Sequence, residues 1–346
     1  MKIVMISYLS KNVEGRLNRH FEMINKIQYV DLTLIQGCFS IMDITDENNV
    51  INIELDKIDG AKKYVYFCKK VFEILKNIEY DALFLNNYYT AIFFSKKVKV
   101  IYDAYELYYP GCGRSFTIRD YIFYFFEKKA IKSANNVIAA NDERALVMVG
   151  KYKLKTIPTT ITNISMAKKR KNNADKKNAI VYAGYLAKER NIEQLIDGVI
   201  RYNRKETKQI ELHIYGRGSL ENYITSMCRT HSEIKFLGAY MNDSIDDILC
   251  QYKFGYVSYP NSEINAMLCA SGKLSSYILN DVVIIGNDNY SLAKEVNGKR
   301  IGKCDENVFE AIVDVTENYD EYYNNVVGYC QEASTISDYE KMIIEG

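Results

Sequence analysis

Short apolar runs and longer segments of helical periodicity alternate along most of this 346-residue sequence. In the first half, the apolar runs predict strands at residues 2–9, 29–35, 50–53, 82–85, 98–102 and 136–140. Between them, periodicity predicts a helix that ends near residue 26 and further helices at residues 61–78 and 121–133. Strands that alternate with helices at this spacing are typical of βαβ units and a parallel sheet.

The alternation restarts in the second half, where strands are predicted at residues 179–183, 210–215, 234–237, 255–259 and 282–285. Helices are predicted at residues 192–202, 220–229, 244–252 and 274–279. The predicted fold class is therefore α/β, with two Rossmann-like domains facing a cleft. Ligands of such domains bind at the carboxyl ends of the strands, so we expect the functional residues there.

A basic polar run, MAKKRKNNADKKN, separates the two halves and has no apolar periodicity. We interpret this segment, residues 166–178, as a linker, a hypothesis that we favour over a nucleic-acid-binding patch. The predicted organisation is an N-terminal domain at residues 1–165 and a C-terminal domain at residues 179–330. A last helix at residues 331–346 is predicted to pack back on the N-terminal domain.

Composition narrows the class of protein. The apolar fraction of 48%, the charged fraction of 26% and the net charge of +1 are ordinary for a globular protein and give no general case for nucleic-acid binding. No apolar run approaches the ~20 residues that cross a bilayer, and the N-terminus reads as a core strand rather than a signal peptide. The eight cysteines form no Cys-x-x-Cys pair, which favours reduced thiols in the cytoplasm. The three histidines do not cluster with cysteine or acid, so we expect no metal site.

The strongest chemical signal lies in residues 254–289, where a strand stopped by Pro260 is followed by a small polar turn, a helix and an apolar strand. The turn contains Ser271, Gly272 and Lys273. A glycine turn that opens a helix offers free backbone N–H groups and the positive end of the helix dipole to an anion. Because Lys273 adds a full charge, we predict that this turn holds the diphosphate of a nucleotide-activated substrate.

Other predicted strand ends carry glycines, cations and polar side chains. After the strand at 179–183 come Gly184 and, further on, Arg190, whose guanidinium suits bidentate pairing with phosphate oxygens. A Gly-x-Gly turn centred on Arg217 follows the strand at 210–215. Two bland alternatives stay open, namely a solvated helix start around Arg190 and ordinary turn chemistry at the glycines.

The first half offers fewer candidates. Asp103 and Glu106 follow the strand at 98–102, and we assign them to sugar or acceptor hydroxyl contacts. A turn or helix cap is the alternative for Asp103. Gly15 and Arg16, in the loop after the first strand, are further candidates for contact with an acceptor or a donor phosphate.

The order of these motifs resembles the retaining glycosyltransferases of family 4, which have the GT-B fold. The resemblance covers about residues 95–305. It rests on the segments YDAYELYYPG, VYAGYLAKERNIEQLIDG, LHIYGRGSLENYI and ASGKLSSYILNDVVIIGND.

The resemblance implies a hexosyltransferase that moves a sugar from a nucleoside diphosphate sugar, with UDP favoured, to a glycan, lipid-linked or protein acceptor with retention of configuration. It further implies a role in bacterial cell-envelope or surface polysaccharide biosynthesis, with no cofactor and no metal. The implied catalytic residues are Asp103, Glu106, Arg190 and Lys273. The implied donor-binding residues are Gly184, Arg190, Gly216, Arg217, Tyr259, Asn261, Glu263, Ser271, Gly272, Lys273, Leu274 and Ser276. The implied acceptor-side residues are Gly15, Arg16 and Tyr105.

The sequence departs from the family pattern at three places. The second acid of the family's Glu-x7-Glu pair is replaced by Ser276 in one register and by Ser271 in the other. Tyr105 stands where the family often has histidine, and Gly272 stands where it has proline. We expect the ribose to be bound by Ser276 through water or by Glu263. A non-catalytic GT-B subunit that binds acceptor or a partner glycosyltransferase is the alternative. A sugar isomerase or epimerase would need acid and base residues near the base-binding turn, where we see none.

The segment DYIFYFFEKKAIK offers a second interaction hypothesis. Its Phe123, Phe125 and Phe126, followed by Lys128 and Lys129, fit either core packing with a solvated lysine edge, which we favour, or peripheral contact with the inner face of a membrane. Homo-oligomers and hetero-oligomers both stay open.

Overall fold

The computed structural model describes residues 1–112, 115–163, 175–240, 245–329 and 335–345. The chain divides into two compact units, Met1–Thr162 with Ser334–Gly346, and Asn163–Ala333. Of the predicted linker, residues 166–174 lie outside the described residues, whereas Lys177 and Asn178 belong to the first strand of the second sheet.

The first unit is built on a seven-stranded sheet in which every pair of neighbours is parallel. Its strands, in chain order, are β1 (Lys2–Ser7), β2 (Asp31–Cys38), β3 (Val50–Glu54), β4 (Ala82–Asn86), β5 (Lys99–Ala104), β6 (Asn136–Ala139) and β7 (Thr159–Thr160). Their order in the sheet is β3-β2-β1-β4-β5-β6-β7. Helices α1 (Gly15–Asn25), α2 (Lys62–Leu75), α3 (Ile118–Ser133) and α4 (Asp142–Tyr152) connect them. Strand β4 is buried along its whole length, as expected for a central strand of a parallel sheet.

The second unit is built on a six-stranded sheet, again with only parallel neighbours. Its strands are β8 (Lys177–Ala183), β9 (Glu211–Tyr215), β10 (Ile234–Gly238), β11 (Tyr252–Val257), β12 (Val283–Gly286) and β13 (Gly302–Cys304), in the order β10-β9-β8-β11-β12-β13. Its helices are α5 (Ile192–Lys205), α6 (Glu221–Thr230), α7 (Ile245–Leu249), α8 (Ile264–Met267), α9 (Gly272–Leu279), α10 (Tyr290–Gly298), α11 (Val308–Glu317) and α12 (Tyr319–Tyr329).

The predicted α/β class with two parallel sheets is confirmed. Each sheet has one position where the chain reverses its direction of winding, between β1 and β4 in the first and between β8 and β11 in the second. At such a point the loops after two neighbouring strands turn to opposite faces of the sheet, which leaves a crevice at their carboxyl ends. The predicted site residues that follow β1, β5, β8 and β11 therefore lie at the edges where ligands of this topology bind.

Tyr277 fixes helix α9 at the winding reversal of the second sheet. Its buried hydroxyl lies 3.2 Å from the carbonyl oxygen of Val181 in β8 and 3.0 Å from that of Tyr256 in β11. Gly255 makes room for the ring, because a Cβ at that position would stand 2.8 Å from the ring carbon atoms. The start of α9 is thus held against the two strands that border the crevice.

The last helix, α13 (Ile336–Glu345), belongs to the first unit. Its Tyr339, Met342 and Ile343 are buried in the same apolar cluster as Phe21 and Ile24 of α1. The side chain of Lys99, at the start of β5, donates to the carbonyl oxygen of Ile344 at 3.1 Å. The chain therefore returns to its first unit after completing the second.

Candidate functional site

The start of helix α9 carries the strongest candidate site. Ser271 caps the helix, since its hydroxyl accepts a 3.0 Å hydrogen bond from the N–H of Leu274. The N–H groups of Gly272 and Lys273 have no acceptor in the described part of the chain, as is usual in a first helical turn. Because Gly272 is exposed, an anion has access to these donors.

Lys273 brings a cation over the end of strand β8. Its ammonium donates to the hydroxyl of Tyr182 at 2.9 Å and lies 4.0 Å from the centroid of that ring. Gly184 is what permits this position, because a Cβ there would stand 2.3 Å from Nζ. The φ of Gly184 is 152°, a region that glycine adopts without strain. Gly184 and Lys273, predicted from separate motifs, are in contact.

Burial and, to a lesser extent, the charge of the nearby Arg190 guanidinium together lower the pKa of Lys273 to about 7. The free protein therefore holds this amine close to the balance between its neutral and charged forms at physiological pH. A bound diphosphate would favour the charged form, since an opposite charge close to an amine raises its pKa.

Arg190 stands at the same edge, at the end of a short 3-10 helix at Lys188–Arg190. Its guanidinium carbon lies 4.7 Å from the centroid of the Tyr259 ring, and Nη1 is 3.5 Å from the carbonyl oxygen of Ser258. The hydroxyl of Tyr259 lies 2.9 Å from that of the capping residue Ser271. Arg190, Tyr259, Ser271 and Lys273 therefore form one group around the start of α9.

The Gly-x-Gly turn after β9 packs tightly against the loop that follows β8. A Cβ at Gly216 would stand 1.8 Å from the carbonyl oxygen of Gly184, and one at Gly218 would stand 2.3 Å from that of Leu186. These glycines are required because two backbone segments run side by side, and the N–H of Gly218 already donates to Glu221 at 2.8 Å. The side chain of Arg217 is exposed. The turn thus supports the loop after β8, and a contact of this turn with the donor stays a prediction.

Three further residues predicted to contact the donor have other surroundings in the structure. The amide of Asn261 joins the backbone of Asp288 and Tyr290, which holds the start of α10. Leu274 is buried in the core of the second unit, and Glu263 is exposed at the start of α8.

The hydroxyl of Ser276, where the family pattern has its second acid, donates to the carbonyl oxygen of Gly272 at 3.1 Å. That internal hydrogen bond uses the only proton that the side chain can offer.

Asp103 and Arg16 of the first unit bind each other instead of facing a ligand. The Nη2 and Nε atoms of Arg16 donate to Asp103 at 2.8 and 3.0 Å, and both side chains are buried. Nη1 donates to the carbonyl oxygen of Ile161 at 2.8 Å. These two residues therefore form a buried ion pair that joins α1 to β5, and their assignment to acceptor or sugar contacts stays a prediction.

His20 extends that pair toward the last helix. Its Nε2 lies 3.1 Å from Asp103 and its Nδ1 lies 2.9 Å from the hydroxyl of Tyr339. Burial lowers the pKa of His20 despite the neighbouring carboxylate, so the neutral ring donates to Asp103 and accepts from Tyr339. Burial alone would raise the pKa of Asp103, but the charge of Arg16 and the hydrogen bonds from Arg16 and His20 outweigh it and hold that pKa below its usual value.

Glu14 is the residue that sequence reasoning missed. It occupies the N-cap position of α1, beside Gly15, without a capping hydrogen bond from its side chain, and its Oε2 accepts from the amide of Asn86 at 3.0 Å. Its Oε1 is buried and has no partner among the described residues, and the same holds for Oδ1 of Asn86. Burial, and then the charge of Asp103, raises the pKa of Glu14 to about 7. Its place in the loop between the first strand and α1, next to Gly15 and Arg16, was the available signal.

The remaining acceptor-side residues lie close by. Gly15 begins α1 with open space around it, and Tyr105 and Glu106 are half-buried after β5. The carbonyl oxygen of Tyr105 accepts from Arg144 of α4.

No family model matches the sequence, and no curated protein matches it significantly. Solved structures do match. Sucrose-phosphate synthase from Thermosynechococcus elongatus has a TM-score of 0.72 at 11% identity, over 100% of this chain and 97% of that chain. WaaG, a glycosyltransferase involved in lipopolysaccharide biosynthesis, has a TM-score of 0.71 at 12% identity, over 99% of this chain and 100% of that chain. The chain has the GT-B fold.

A third match is the pneumococcal O-GlcNAc transferase GtfA in complex with UDP and GlcNAc, with a TM-score of 0.69 at 11% identity, over 99% of this chain and 97% of that chain. At these identities the likeness shows the fold alone, because one fold hosts many chemistries. Function has to be argued from the site residues.

The described residues contain no helix with the length and apolarity that a membrane span requires. They also contain no group of three or more His, Cys, Asp or Glu side chains arranged to hold a metal ion. The cysteines that the structure describes are free thiols.

Proposed function

We propose that this protein is a retaining glycosyltransferase that moves a hexosyl group from a nucleoside diphosphate sugar, with UDP favoured, to a glycan, lipid-linked or protein acceptor. The observation that carries the proposal is the group at the start of α9. There, the Lys273 ammonium, the Arg190 guanidinium and the free N–H groups of Gly272 and Lys273 meet at the winding reversal of the second sheet. Cations and helix N–H groups together are what a diphosphate requires.

In the proposed reaction the bond between the anomeric carbon and the diphosphate oxygen breaks, and the acceptor oxygen bonds to that carbon on the same face. The proton of the acceptor hydroxyl passes to an oxygen of the departing diphosphate. Arg190, Lys273 and the amides of α9 stabilise the negative charge that develops on the leaving group. The chain needs no protein nucleophile, no metal and no cofactor for this route.

We assign the acceptor to the first unit, near the carboxyl ends of β1 and β5. Gly15, Tyr105 and Glu106 remain the candidate contacts, and the buried pair of Arg16 and Asp103 holds the backbone beneath them. Polar groups around a crevice suit an acceptor rich in hydroxyls, as cell-envelope and surface glycans are. The cytoplasmic location and a role in bacterial polysaccharide synthesis belong to the same proposal.

A non-catalytic GT-B subunit that binds acceptor or a partner glycosyltransferase is the second candidate. It is favoured by one observation, namely that Ser276 offers no carboxylate to the ribose and uses its hydroxyl within α9. The two candidates differ in turnover. Slow hydrolysis of a sugar nucleotide by the purified chain would exclude the second.

The primary test is binding of nucleoside diphosphates to the full chain. Binding is measured as the change in the unfolding temperature on addition of UDP, GDP or ADP. A ligand that binds only the folded state raises its stability by RT ln(1 + [L]/Kd), about 2.7 kcal/mol at a hundred-fold excess over Kd. We expect UDP to raise the unfolding temperature of the wild type and to have little effect on Lys273→Ala. No shift with any nucleoside diphosphate would refute the proposal.

A further inference from the structure

Four large apolar side chains form an exposed stripe on helix α3, which we call the outer face of α3. Ile118 is 84% exposed, Tyr121 and Ile122 are each 53% exposed, and Phe125 is 64% exposed. Their spacing of three, one and three residues places them on one side of a helix. Apolar residues that are clustered on a surface, rather than scattered singly, indicate an interaction site.

The inner face of α3 is packed as expected for a core helix. Phe123 is buried and makes edge contacts with Tyr64 at 4.9 Å and Tyr89 at 5.4 Å between ring centroids. Core packing, the interpretation favoured from the sequence, therefore accounts for Phe123 but not for Phe125. The helix has more apolar side chains than the first unit buries.

The charges of α3 are separated in the same way. Its two acids are buried, with Asp120 accepting from Tyr108 at 2.8 Å and Glu127 accepting from Tyr102 at 3.0 Å. Its bases are all exposed, and they are Arg119, Lys128, Lys129 and Lys132. The exposed side of the helix is thus apolar and cationic, with no negative charge of its own.

We propose that the outer face of α3 lies on a bilayer that contains anionic phospholipids, with the helix axis parallel to the membrane plane. An apolar stripe with large side chains, flanked by lysines, is the composition of helices that bind at the interface of a membrane. The lysines match the negative surface potential of such a bilayer, whereas they would add repulsion between two copies of the same face. This inference does not depend on the transferase activity.

The test uses the full chain and large unilamellar vesicles, either of phosphatidylcholine alone or with phosphatidylglycerol added. We expect co-sedimentation with the phosphatidylglycerol vesicles and release at high salt, because salt screens the attraction. The double variant Ile118→Ser, Phe125→Ser should lower the partition coefficient by about tenfold or more, since membrane affinity grows with buried apolar area. The matched control is Ile41→Ser, Val65→Ser, which removes two exposed apolar side chains elsewhere in the first unit and should bind as the wild type does.

Two further variants keep the test decisive if the double variant folds poorly. The chain contains no tryptophan, so Phe125→Trp introduces a single indole whose emission should shift to shorter wavelength on phosphatidylglycerol vesicles. Lys128→Gln, Lys129→Gln leaves the apolar side chains in place and should weaken binding to the same vesicles. An unchanged emission spectrum, or equal sedimentation of all variants, would overturn the proposal. So would a dimer that forms without lipid and that the double variant abolishes, because the outer face of α3 would then be a contact between copies.

Discussion

The two winding reversals of this protein have the same topology and opposite charge. In the second sheet, Lys273 and Arg190 stand at the carboxyl edge, and neither is paired with a carboxylate in the part of the chain that the structure describes. In the first sheet, Glu14 and Asp103 stand at the corresponding edge, and Asp103 is paired with the Arg16 guanidinium. Under the proposed function, the parallel sheet determines where each ligand binds, while a few side chains determine whether that ligand is an anion or a neutral polyol.

Breaking the buried pair in the first unit should have the largest effect. Asp103→Asn keeps the shape of the side chain but leaves the Arg16 guanidinium buried without its counter-ion, and we expect a loss of about 3–5 kcal/mol in the free energy of unfolding. Urea denaturation of the full chain measures this, fitted with separate transitions for the two units if they occur. The matched control is Glu79→Gln, which removes an exposed 3.0 Å pair with Lys2 and should cost less than about 1 kcal/mol.

The pH dependence of that pair has a defined sign. The pKa of Asp103 is lower in the folded chain than in the unfolded one, so the stabilisation is complete above the unfolded pKa of about 3.9 and is lost as the pH falls below it. Asp103→Asn should therefore differ most from the wild type near neutral pH. A variant as stable as the wild type at pH 7 would show that the pair is not structural.

Removing either cation from the second unit should abolish most transfer. Arg190→Ala and Lys273→Ala should each lower kcat by about a hundredfold or more, the usual effect of losing one donor to a developing negative charge. Initial rates of sugar transfer, with the fold of each variant checked by circular dichroism, give the measurement. Arg204→Ala is the matched control, because it removes an exposed arginine in the last turn of α5, outside the candidate site. Near-wild-type rates in both test variants would refute the diphosphate assignment.

Neutralising Glu14 should stabilise the protein at alkaline pH. Its folded pKa of about 7 lies above the unfolded value of about 4.3, so its carboxylate destabilises the fold increasingly as the pH rises between these values. Glu14→Gln should be more stable than the wild type by about 2–3 kcal/mol at pH 8, and equally stable near pH 4. Urea denaturation at both pH values measures the difference, with Glu22→Gln on the exposed side of α1 as the control. A destabilised glutamine variant at pH 8 would show that the charged form is favoured.

Binding of UDP should be coupled to proton uptake. Because the pKa of Lys273 is about 7 in the free protein, most of the amine is neutral at pH 8, and a diphosphate should draw a proton onto it. The affinity should fall as the pH rises above 7. Calorimetry at pH 8 in two buffers with different ionisation enthalpies counts the protons. Lys273→Arg retains a cation that does not titrate, and it should bind UDP without uptake.

The smallest predicted effect concerns the ribose. Since Ser276 lacks a carboxylate, UDP and its 2′-deoxy form should differ in affinity by less than about tenfold, or 1.4 kcal/mol. Calorimetry with the two nucleotides decides this. Ser276→Glu restores the acid of the family pattern and should increase the preference for the ribose form. A strong preference in the wild type would show that another residue, with Glu263 the first candidate, binds the ribose hydroxyls.

The sequence predicted the sheets well because their strands are short, apolar and buried on both faces, as Ala82–Asn86 is. It did not predict β13 or α12, which are a three-residue strand and a helix rich in tyrosine and asparagine without a clear period. Such elements are stabilised by contacts with residues that are distant in the sequence. The local pattern of apolar and polar residues contains too little information about those contacts.

The candidate site was predictable in part. A glycine turn followed by Lys273 is a local pattern with a local cause, and the structure places it at a strand end. The pairing of Arg16 with Asp103 joins residues 87 positions apart, and no periodicity reveals that their charges cancel. In sequence, Gly216 looks the same as a phosphate-binding glycine. In the structure, glycine is required there because the carbonyl oxygen of Gly184 occupies the space of a side chain. A glycine in the sequence indicates that a side chain would not fit at that position, but it does not show which atoms fill the space.

The hydrogen bond between His20 and Tyr339 has a consequence for how the chain is made. The two residues are 319 positions apart, and Tyr339 leaves the ribosome only after the entire second unit. Domains usually fold as they emerge, in order from the N-terminus. Here the first unit emerges without Tyr339, Met342 and Ile343, so part of its apolar surface stays uncovered during synthesis of the second. The first unit can therefore complete its core only after α13 has been synthesised. Early termination within residues 336–345 would destabilise the unit that was synthesised first.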